Sequence, residues 1–321
     1  MLGLAWVVVH GIIHMGYREL SPELLARAQK ELNEDPKRRD QDIQHIKDWL
    51  KKQPHIKARM DDQWLLTFLR GCKFSLERTK EKLDMYYTVR RHLPELFANR
   101  DPFSADIQKI LSAGVLTKLP QTDAQGRRVI LMNVGKLPAG TVSAEAAFRT
   151  NFLGLDISLL EDDEAIICGQ VVIQDMKDIT LGHMTAITPY FMKRVATCFQ
   201  EAYPLRPKGT HIINVPPGVE KFISLFQSFM KEKLRRRVFI HSSMETLYEH
   251  IPKKILPQEY GGEAGPIEEM QKAWKAKVES YSSFFKEDAQ FGVDESKRPG
   301  KPKTMTDLFG LEGSFRQLSL D

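Results

Sequence analysis

The sequence contains few of the patterns that mark secreted, metal-binding or membrane-spanning proteins. It has three cysteines among 321 residues, and Cys72, Cys168 and Cys198 are far apart and form no Cys-x-x-Cys pair. This argues against a disulfide framework or a zinc site and is typical of a reducing compartment. The absence of any Asn-x-Ser/Thr sequon agrees with a protein that is not secreted.

One apolar stretch opens the chain, residues 1–14, MLGLAWVVVHGIIH. It is shorter than the roughly 20 residues that a membrane-spanning helix needs. It also lacks the preceding basic residues and the following small-residue cleavage site of a signal peptide. We therefore interpret residues 1–15 as an apolar extension. The alternative is that Met15 is the start of the protein. Both interpretations stay open.

Positive charge is present only in modest excess. The chain is 42% hydrophobic and 28% charged, with a formal net charge of +5. Proteins that bind nucleic acids usually concentrate far more positive charge, so we predict no nucleic-acid partner. The composition is that of a globular protein, and the small excess suits a basic patch that faces an anionic membrane.

The apolar pattern changes after about residue 110. Before it, start signals such as Ser21-Pro22 and Asp61-Asp62 precede segments with helical spacing. After it, short apolar strands alternate with helices, which predicts an α/β domain with a mostly parallel sheet covered by helices. We predict an apolar extension (1–15), an all-helical domain (16–110), an α/β domain (111–265), and a C-terminal helix and tail (266–321).

The α/β domain is expected to contain four strands and the helices between them. The predicted strands are Val129–Met132, Gln170–Ile173, Thr210–Asn214 and Val238–His241. The predicted helices are Ala144–Leu160, Pro189–Tyr203 and Val219–Arg236, followed by Pro266–Phe285 in the C-terminal segment. The Lys/Pro-rich stretch Ser296–Lys303 is typical of a linker or a solvated tail.

Sequence motifs for catalysis are missing. We find no G-x-G-x-x-G or G-x-x-x-x-G-K-[ST] phosphate loop, no G-x-S-x-G elbow and no H-E-x-x-H pair. Cys72 and Arg78 match the C-x5-R spacing of phosphatases, but this segment joins two predicted helices instead of forming a phosphate-binding loop. We predict a protein that is not an enzyme, with no catalytic residue, no metal and no cofactor.

The histidines and the glycine-rich segment have structural interpretations. His211 and His241 lie in predicted strands without ligand-spaced partners, so we predict hydrogen-bonded structural histidines. Gly261–Gly265 lacks a strand–turn–helix context and is predicted to be a chain turn. The remaining histidines that we assign to surfaces or helix ends are His10, His14, His45, His55, His92 and His183.

An amphipathic segment followed by basic residues suggests a site. Val219, Phe222, Ile223, Phe226, Phe229 and Met230 share one face of a predicted helix. Two interpretations stay open: a helix packed on the sheet, or one that covers a lipid cavity. The basic run Lys231–Arg237 follows it, and Arg206 and Lys208 lie upstream. Such clusters suit an anionic membrane surface.

Four ordered motifs resemble the CRAL-TRIO family of lipid carriers. They are Trp64–Phe74 (WLLTFLRGCKF), Asp123–Val129 (DAQGRRV), Gln200–Asn214 (QEAYPLRPKGTHIIN) and Leu256–Gly262 (LPQEYGG). The likeness covers residues 22–265, and the tail Gly313–Arg316 adds to the similarity with tocopherol-carrying members. The resemblance implies an all-helical N-terminal domain followed by an α/β domain with a lipid cavity and a mobile gate helix at Pro217–Phe229.

The resemblance also implies functional residues. The lipid-pocket residues of the tocopherol-carrying members correspond to Phe148, Asn151, Leu155, Gln174, Val195, Cys198, Phe199, Tyr203, Leu205, Phe222 and Phe226. The gate face consists of Val219, Phe222, Ile223, Phe226 and Phe229. The phosphoinositide-binding residues correspond to Lys73, Arg206, Lys208, Lys233 and Arg237.

The chain departs from the family at several of these positions. Cys72 stands where those members have an arginine, with Lys73 as a possible substitute, and Asp175-x-x-Asp178 lacks the usual glycine. Asn151 and Gln174 are polar where those members have serine and phenylalanine. A buried amide needs a hydrogen-bonding group from a ligand or a water, so these departures leave the cargo open.

Together these observations predict a cytoplasmic carrier of one small hydrophobic lipid, tocopherol- or retinoid-like. The carrier would visit endosomal or plasma membranes transiently and exchange its cargo where phosphoinositides are present. We expect no obligate protein partner and no cofactor other than the bound lipid. The alternatives are a scaffold or regulatory module that senses lipid without transporting it and, third, a lipid phosphatase that uses Cys72.

Overall fold

The computed structural model describes residues 16–310, so the predictions for residues 1–15 and 313–316 lie outside the described residues. The first part is helical, as predicted. Ser21 and Asp61 cap two helices, since their side chains accept hydrogen bonds from the backbone N–H groups of Leu24 and Trp64. The helices are α1 (Pro22–Leu32), α2 (Arg39–Lys51), α3 (Asp62–Gly71), α4 (Leu76–His92), α5 (Pro94–Phe97) and α6 (Ala105–Ala113), with a short strand β1 (Ile56–Lys57) between α2 and α3.

A five-stranded, mostly parallel sheet follows. Its strands are β2 (Leu116–Thr122), β3 (Arg128–Asn133), β4 (Gln170–Asp175), β5 (Pro207–Ile213) and β6 (Val238–Ile240), in the order β2-β3-β4-β5-β6. Strands β3 to β6 run parallel and match the four predicted strands. Strand β2 pairs antiparallel with β3 and was not predicted.

Helices connect and cover these strands. They are α7 (Ala144–Glu161), α8 (Asp163–Cys168), α9 (Leu181–Thr185), α10 (Pro189–Thr197), α11 (Glu220–Ser228), α12 (Glu232–Arg235), α13 (Met244–Tyr248), α14 (Ile267–Ser280), α15 (Ser282–Asp288) and α16 (Met305–Phe309). A π-helical turn, Cys198–Ala202, extends α10. Strand β7 (Gly292–Val293) pairs with β1. Gly261–Gly265 forms a turn, as predicted, and Gly261 adopts a φ of 68°.

The helical and α/β parts share one hydrophobic core. Trp64, Phe68 and Tyr86 of the helical part pack with Phe152 and Tyr203 of the α/β part. The Tyr86 and Tyr203 rings meet edge-on with centroids 5.3 Å apart. Residue 110 therefore marks a change in the type of element, and the core is continuous across it.

Two of the sequence motifs meet at a close backbone contact. A Cβ at Gly71, the last residue of α3, would lie 2.3 Å from the carbonyl oxygen of Pro204. Any side chain at residue 71 would force the two segments apart. The contact fixes the end of α3 against the segment that leads into β5.

The stretch Ser296–Lys303 is exposed over most of its length, as predicted, but it is anchored to α4 and is not a free linker or tail. Arg298 and Lys303 both form ion pairs with Asp84 of α4, at 2.9 and 2.6 Å. The carbonyl oxygen of Lys303 lies 2.9 Å from Nε2 of His92. Helix α16 then places Phe309 in the shared core. The basic residues of this stretch neutralise a partly buried carboxylate, which the composition alone does not indicate.

Two further predictions need correction. His55 is not a surface residue: it is 4% exposed, and its Nε2 lies 3.3 Å from Oδ1 of Asp84. The single helix predicted for Val219–Arg236 is divided, because α11 ends at Ser228 and α12 begins at Glu232. The residues between them, 229–231, turn the chain.

Candidate functional site

One face of the sheet is completely covered. Its side chains pack against α13, α14 and the turns between them. The exposed fractions there are 0% for Val129, 2% for Leu131, 0% for Val171, 0% for Ile173 and 1% for Ile213. This face is a hydrophobic core, and it leaves no room for a ligand.

The other face, which we call the open face, consists of Ile130, Met132, Val172, Gln174, Thr210 and Ile212. The register places them in two rows across β3, β4 and β5. Met132, Val172, Gln174 and Thr210 are only half buried although they lie in the interior of the sheet. Parallel sheets are normally covered on both faces. The exposure therefore indicates space above the open face.

Helix α7 brings one predicted pocket residue, Asn151, to this space, whereas Phe148 and Leu155 pack in the shared core. Phe148, Asn151 and Leu155 have i, i+3, i+7 spacing and share one face of the helix. The Nδ2 of Asn151 lies 3.7 Å from the Sδ of Met132 on the open face. The Phe148 ring packs edge-on against Phe191 of α10 with centroids 5.5 Å apart.

A second group of predicted pocket residues packs into the shared core. It consists of Val195, Cys198, Phe199, Tyr203 and Leu205. Phe199 and Tyr203 both stack on Phe152, with centroids 5.1 and 5.3 Å apart. Burial raises the pKa of the Cys198 thiol to about 12. The π-helical turn in this group is a distortion that occurs frequently at functional sites.

The predicted gate helix, residues 217–229, divides its apolar side chains between two environments. Val219 and Ile223 are buried with Met176 and Ile212, against the sheet. The gate phenylalanines are only half buried, and Leu225 is 39% exposed. These half-buried phenylalanines are Phe222, Phe226 and Phe229. Of the single apolar face predicted from the sequence, Val219 and Ile223 are thus buried against the sheet, and the phenylalanines are only half buried.

Both ends of the gate helix have features of a hinge. Gly218 precedes α11, the helical part of this segment, with a φ of 88°, which glycine adopts without strain. At the other end, the side chain of Gln200 donates to the carbonyl oxygen of Phe229 at 3.0 Å and accepts from the N–H of Lys231 at 2.7 Å. An open recess of about 370 Å³ lies here, between α10 and the end of the gate.

A basic cluster lies at the start of β5. Glu31 of α1 bonds Arg206 and Arg27, each at 2.8 Å, and Lys208 lies 3.8 Å away. Burial alone would raise the pKa of Glu31, but the hydrogen bonds from Arg206 and Arg27 outweigh it and lower the pKa to about 2. Burial, and then the nearby Arg206 charge, lowers the pKa of Lys208. The Glu31 carboxylate is therefore the shared counter-charge of Arg27, Arg206 and Lys208.

The remaining predicted phosphoinositide-binding residues adjoin this cluster. Arg237 donates to the carbonyl oxygen of Pro207, and with Lys233 it lines an open recess of about 500 Å³. Lys73 is exposed, and its carbonyl oxygen accepts a 3.4 Å hydrogen bond from Asn33, at the end of α1. The two basic segments that are separate in sequence thus converge around β5.

The expected enclosed cavity does not coincide with either recess described here. Both recesses lie at the surface beyond the end of the gate helix. The space above the open face is indicated by side-chain exposure alone. Phe222 and Phe226 are half buried on the gate, while the second group of predicted pocket residues lies in the shared core.

The side chains proposed for catalysis are poorly suited to it. Cys72 is buried with its Sγ 3.6 Å from the carbonyl oxygen of Arg78, and burial raises the pKa of its thiol. A phosphatase nucleophile needs the opposite shift. His211 and His241 are hydrogen-bonded to each other at 2.9 Å, as predicted, and burial lowers the pKa of His211 to about 3. Within residues 16–310, no group of three or more His, Cys, Asp or Glu side chains is arranged so that it could hold a metal ion.

Among residues 16–310, no helix is both long and apolar enough to cross a membrane. Residues 113–262 match the CRAL/TRIO domain family, and residues 35–107 match the Pinta-like UBA domain family. The fold is similar to that in the crystal structure of Sfh5, with a TM-score of 0.51 and 17% identity over 76% of this chain and 89% of that chain.

Two sequence relatives cover most of the chain. The alpha-tocopherol transfer protein-like protein of Mus musculus is 32% identical over 274 residues, 84% of this chain and 78% of that protein. Clavesin-2 of Homo sapiens is 28% identical over 284 residues, 88% of this chain and 85% of that protein. Because these similarities extend through both the helical part and the open-faced sheet, the chain belongs to the CRAL-TRIO family.

Proposed function

We propose that this chain is a non-enzymatic carrier that binds one small hydrophobic lipid between the open face of the sheet and the gate helix. It acts in the cytoplasm and exchanges its cargo at phosphoinositide-containing endosomal or plasma membranes. The observation that carries the proposal is the half burial of Met132, Val172 and Gln174 on the open face. The gate helix packs against Ile212 of the same face, and its phenylalanines are also half buried. Apolar surface left partly exposed in this way is stabilised when a hydrophobic ligand covers it.

Exposed apolar side chains surround the gate helix. Leu225 on the gate, Leu181 on α9 and Ile240 on β6 are 39%, 70% and 55% exposed. Met184 of α9 and Ile223 of the gate share one hydrophobic cluster with Ile212, the strand partner of Ile240. This apolar rim supports insertion into a membrane interface at the gate end of the molecule.

The basic cluster supports an anionic membrane as the site of exchange. Each cation near an anionic surface contributes about 1 kcal/mol to binding. Arg206, Lys208, Lys233 and Arg237 offer several such contacts close together, and the guanidinium groups suit phosphate oxygens. The name of the similar Mus musculus protein, alpha-tocopherol transfer protein-like, is consistent with transfer.

Exchange requires the gate to open at the membrane. In water, the half-buried gate phenylalanines favour the closed position because opening exposes more apolar surface. At a membrane, the rim and the opened gate are both buried in the interface. The open state therefore binds the membrane more tightly than the closed state does. The resulting shift in population releases or loads the lipid.

Bound-lipid identification and vesicle transfer test this proposal. Gently purified full-length chain is expected to show one lipid per chain by native mass spectrometry. It should transfer that lipid between vesicles faster when phosphatidylinositol bisphosphate is present. Lys208→Gln with Lys233→Gln removes two charges, about 2 kcal/mol, and should weaken vesicle binding by roughly thirtyfold.

The control removes the same charge at a distance from β5. Lys272→Gln with Lys301→Gln alters two lysines that are 74% and 80% exposed, and it should leave vesicle binding and transfer unchanged. Vesicle binding without any bound or transferred lipid would favour a lipid-sensing scaffold. A transfer rate that changes neither with phosphoinositide nor in the Lys208/Lys233 variant would refute the role of the basic cluster.

A further inference from the structure

The last described residues lie beside the recess at the end of the gate helix. Phe309 of α16 is 1% exposed in the shared core, which fixes the position of this helix. Gly310 ends the helix with a φ of 60°. A Cβ at Gly310 would lie 3.3 Å from Nζ of Lys193, and Lys193 lines the recess of about 370 Å³. The segment that follows, residues 311–321, therefore begins at the edge of this recess.

The recess contains a charge without a counter-charge and an apolar ring that is incompletely covered. Lys193 is half buried, and among residues 16–310 it forms no ion pair. A charge that is partly removed from water without an opposite charge is unfavourable. The other lysine of the recess, Lys231, is paired with Glu201 at 2.6 Å. Phe229, which also lines the recess, is half buried. The recess therefore suits a segment that supplies one carboxylate and one apolar side chain.

The segment 311–321, LEGSFRQLSLD, has both groups near its start. Glu312 is two residues after Gly310, and Phe315 follows three residues later. At about 3.3 Å per residue, the chain from Leu311 to Phe315 extends over roughly 16 Å, which is enough to cross a recess of this size. The attachment at Gly310 gives the segment an effective concentration on the order of millimolar, so weak contacts suffice for binding.

We propose that residues 311–321 bind in this recess, with Glu312 paired to Lys193 and Phe315 packed against Phe229. The bound segment joins α10 to the C-terminal end of the gate, next to Gln200, which donates to the carbonyl oxygen of Phe229. This binding does not depend on the proposed lipid-carrier function. Its consequence rests on that function: the bound segment adds contacts that hold the gate closed, and its release speeds lipid exchange.

Photo-crosslinking tests the position of the segment in the full-length chain. A benzophenone side chain is installed at residue 315, and mass spectrometry maps the products after irradiation. We expect crosslinks within one chain, to residues 193–201 and 228–231 around the recess. The same side chain at Phe103, which is 58% exposed, is the control and should give none of these products. Products that join two chains, or no product at the recess, would overturn the proposal.

Charge reversal tests the ion pair. Lys193→Glu should accelerate hydrogen exchange of residues 226–231 by at least about threefold, because a repulsive contact replaces an attractive one. Lys193→Glu combined with Glu312→Lys restores opposite charges and should restore the original rate. Lys254→Glu reverses an exposed lysine elsewhere and should leave the rate unchanged. A double variant that exchanges as fast as Lys193→Glu alone would overturn the pairing of Glu312 with Lys193.

Vesicle transfer separates this inference from the proposed function. Lys193→Glu should transfer lipid faster than the unmodified chain, and the double variant should return to the original rate. Unchanged transfer by Lys193→Glu would overturn the effect of the segment on the gate. Absence of bound and transferred lipid in every form of the chain would refute the proposed function, whereas the crosslinks and the exchange rates would still decide whether the segment binds in the recess.

Discussion

Glu31 shows how a single residue can tune the basic cluster. Its carboxylate bonds Arg206 and Arg27 and lies 3.8 Å from Lys208. Of these three cations, Arg206 and Lys208 are predicted to bind phosphoinositide. A phosphate group that approaches β5 must therefore compete with a carboxylate already in place. The depressed pKa, about 2, keeps Glu31 ionised at neutral pH, so the competition is present under physiological conditions.

We expect Glu31→Gln to strengthen binding to phosphoinositide vesicles. Removing the negative charge frees Arg206 and Lys208, and a contribution of about 1 kcal/mol corresponds to roughly a fivefold gain. Vesicle co-sedimentation at fixed ionic strength measures the change. Glu23→Gln, in the first turn of the same helix, is the matched control and should have no effect. Unchanged or weaker binding by Glu31→Gln would show that the carboxylate organises the cluster instead of competing for it.

Sequence reasoning located some site residues and missed others for a physical reason. Asn151 and Gln174 were named from the resemblance to the tocopherol-carrying members, which have serine and phenylalanine at these positions. Glu31 and Gln200 were missed because their partners, Arg206 and Phe229, lie far away in the sequence. Long-range ion pairs and side-chain bonds to backbone leave no periodic pattern that a single sequence can reveal.

At the scale of elements, the gate helix is held at its C-terminal end by one side chain. Gln200 bonds the carbonyl oxygen of Phe229 and the N–H of Lys231, where the helix stops. Neither proline nor glycine is present at this break, so the sequence predicts a continuous helix up to residue 236. The glutamine takes the place of the missing helical hydrogen bonds and fixes the position of the hinge.

Gln200→Leu is expected to make the gate open more often. Two hydrogen bonds of about 1 kcal/mol each are lost, so opening should increase by about tenfold or more. Hydrogen exchange of residues 219–237 should accelerate, and lipid transfer between vesicles should accelerate with it. Gln121→Leu, at an exposed position on β2, provides a control. Faster exchange without faster transfer would mean that gate opening does not limit transfer.

The elements themselves were predicted unevenly. Strands β3 to β5 have apolar runs because one face is fully buried and the other is largely apolar. Strand β2, LTKLPQT, is an edge strand that includes Lys118, Pro120 and Gln121, and it lacks such a run. The C-terminal stretch was assigned to solvent from its lysines and prolines, but Asp84 binds it to α4.

At the scale of the whole molecule, a buried charge network joins three distant segments. Asp156 of α7 accepts hydrogen bonds from Arg90 of α4 and from Arg100. Both arginines also bond Asp288 of α15 at 3.0 Å. Burial would raise the pKa of Asp156, but the two arginine charges lower it, so the carboxylate is ionised in the folded protein. The network lies beside the shared aromatic core.

This arrangement predicts that the helical and α/β parts unfold together. In urea, far-ultraviolet ellipticity and tryptophan fluorescence should follow one coincident transition, since Trp64 lies in the shared core. Asp156→Asn leaves two buried arginines short of a counter-charge and should lower the free energy of unfolding by about 3–5 kcal/mol. Asp106→Asn, whose partner Lys109 is 53% exposed, should change it by less than about 1 kcal/mol. Two separate transitions, or a small change in the free energy of unfolding for Asp156→Asn, would show that the two parts are stabilised independently. The sheet would then be stable without the helices that pack beside it.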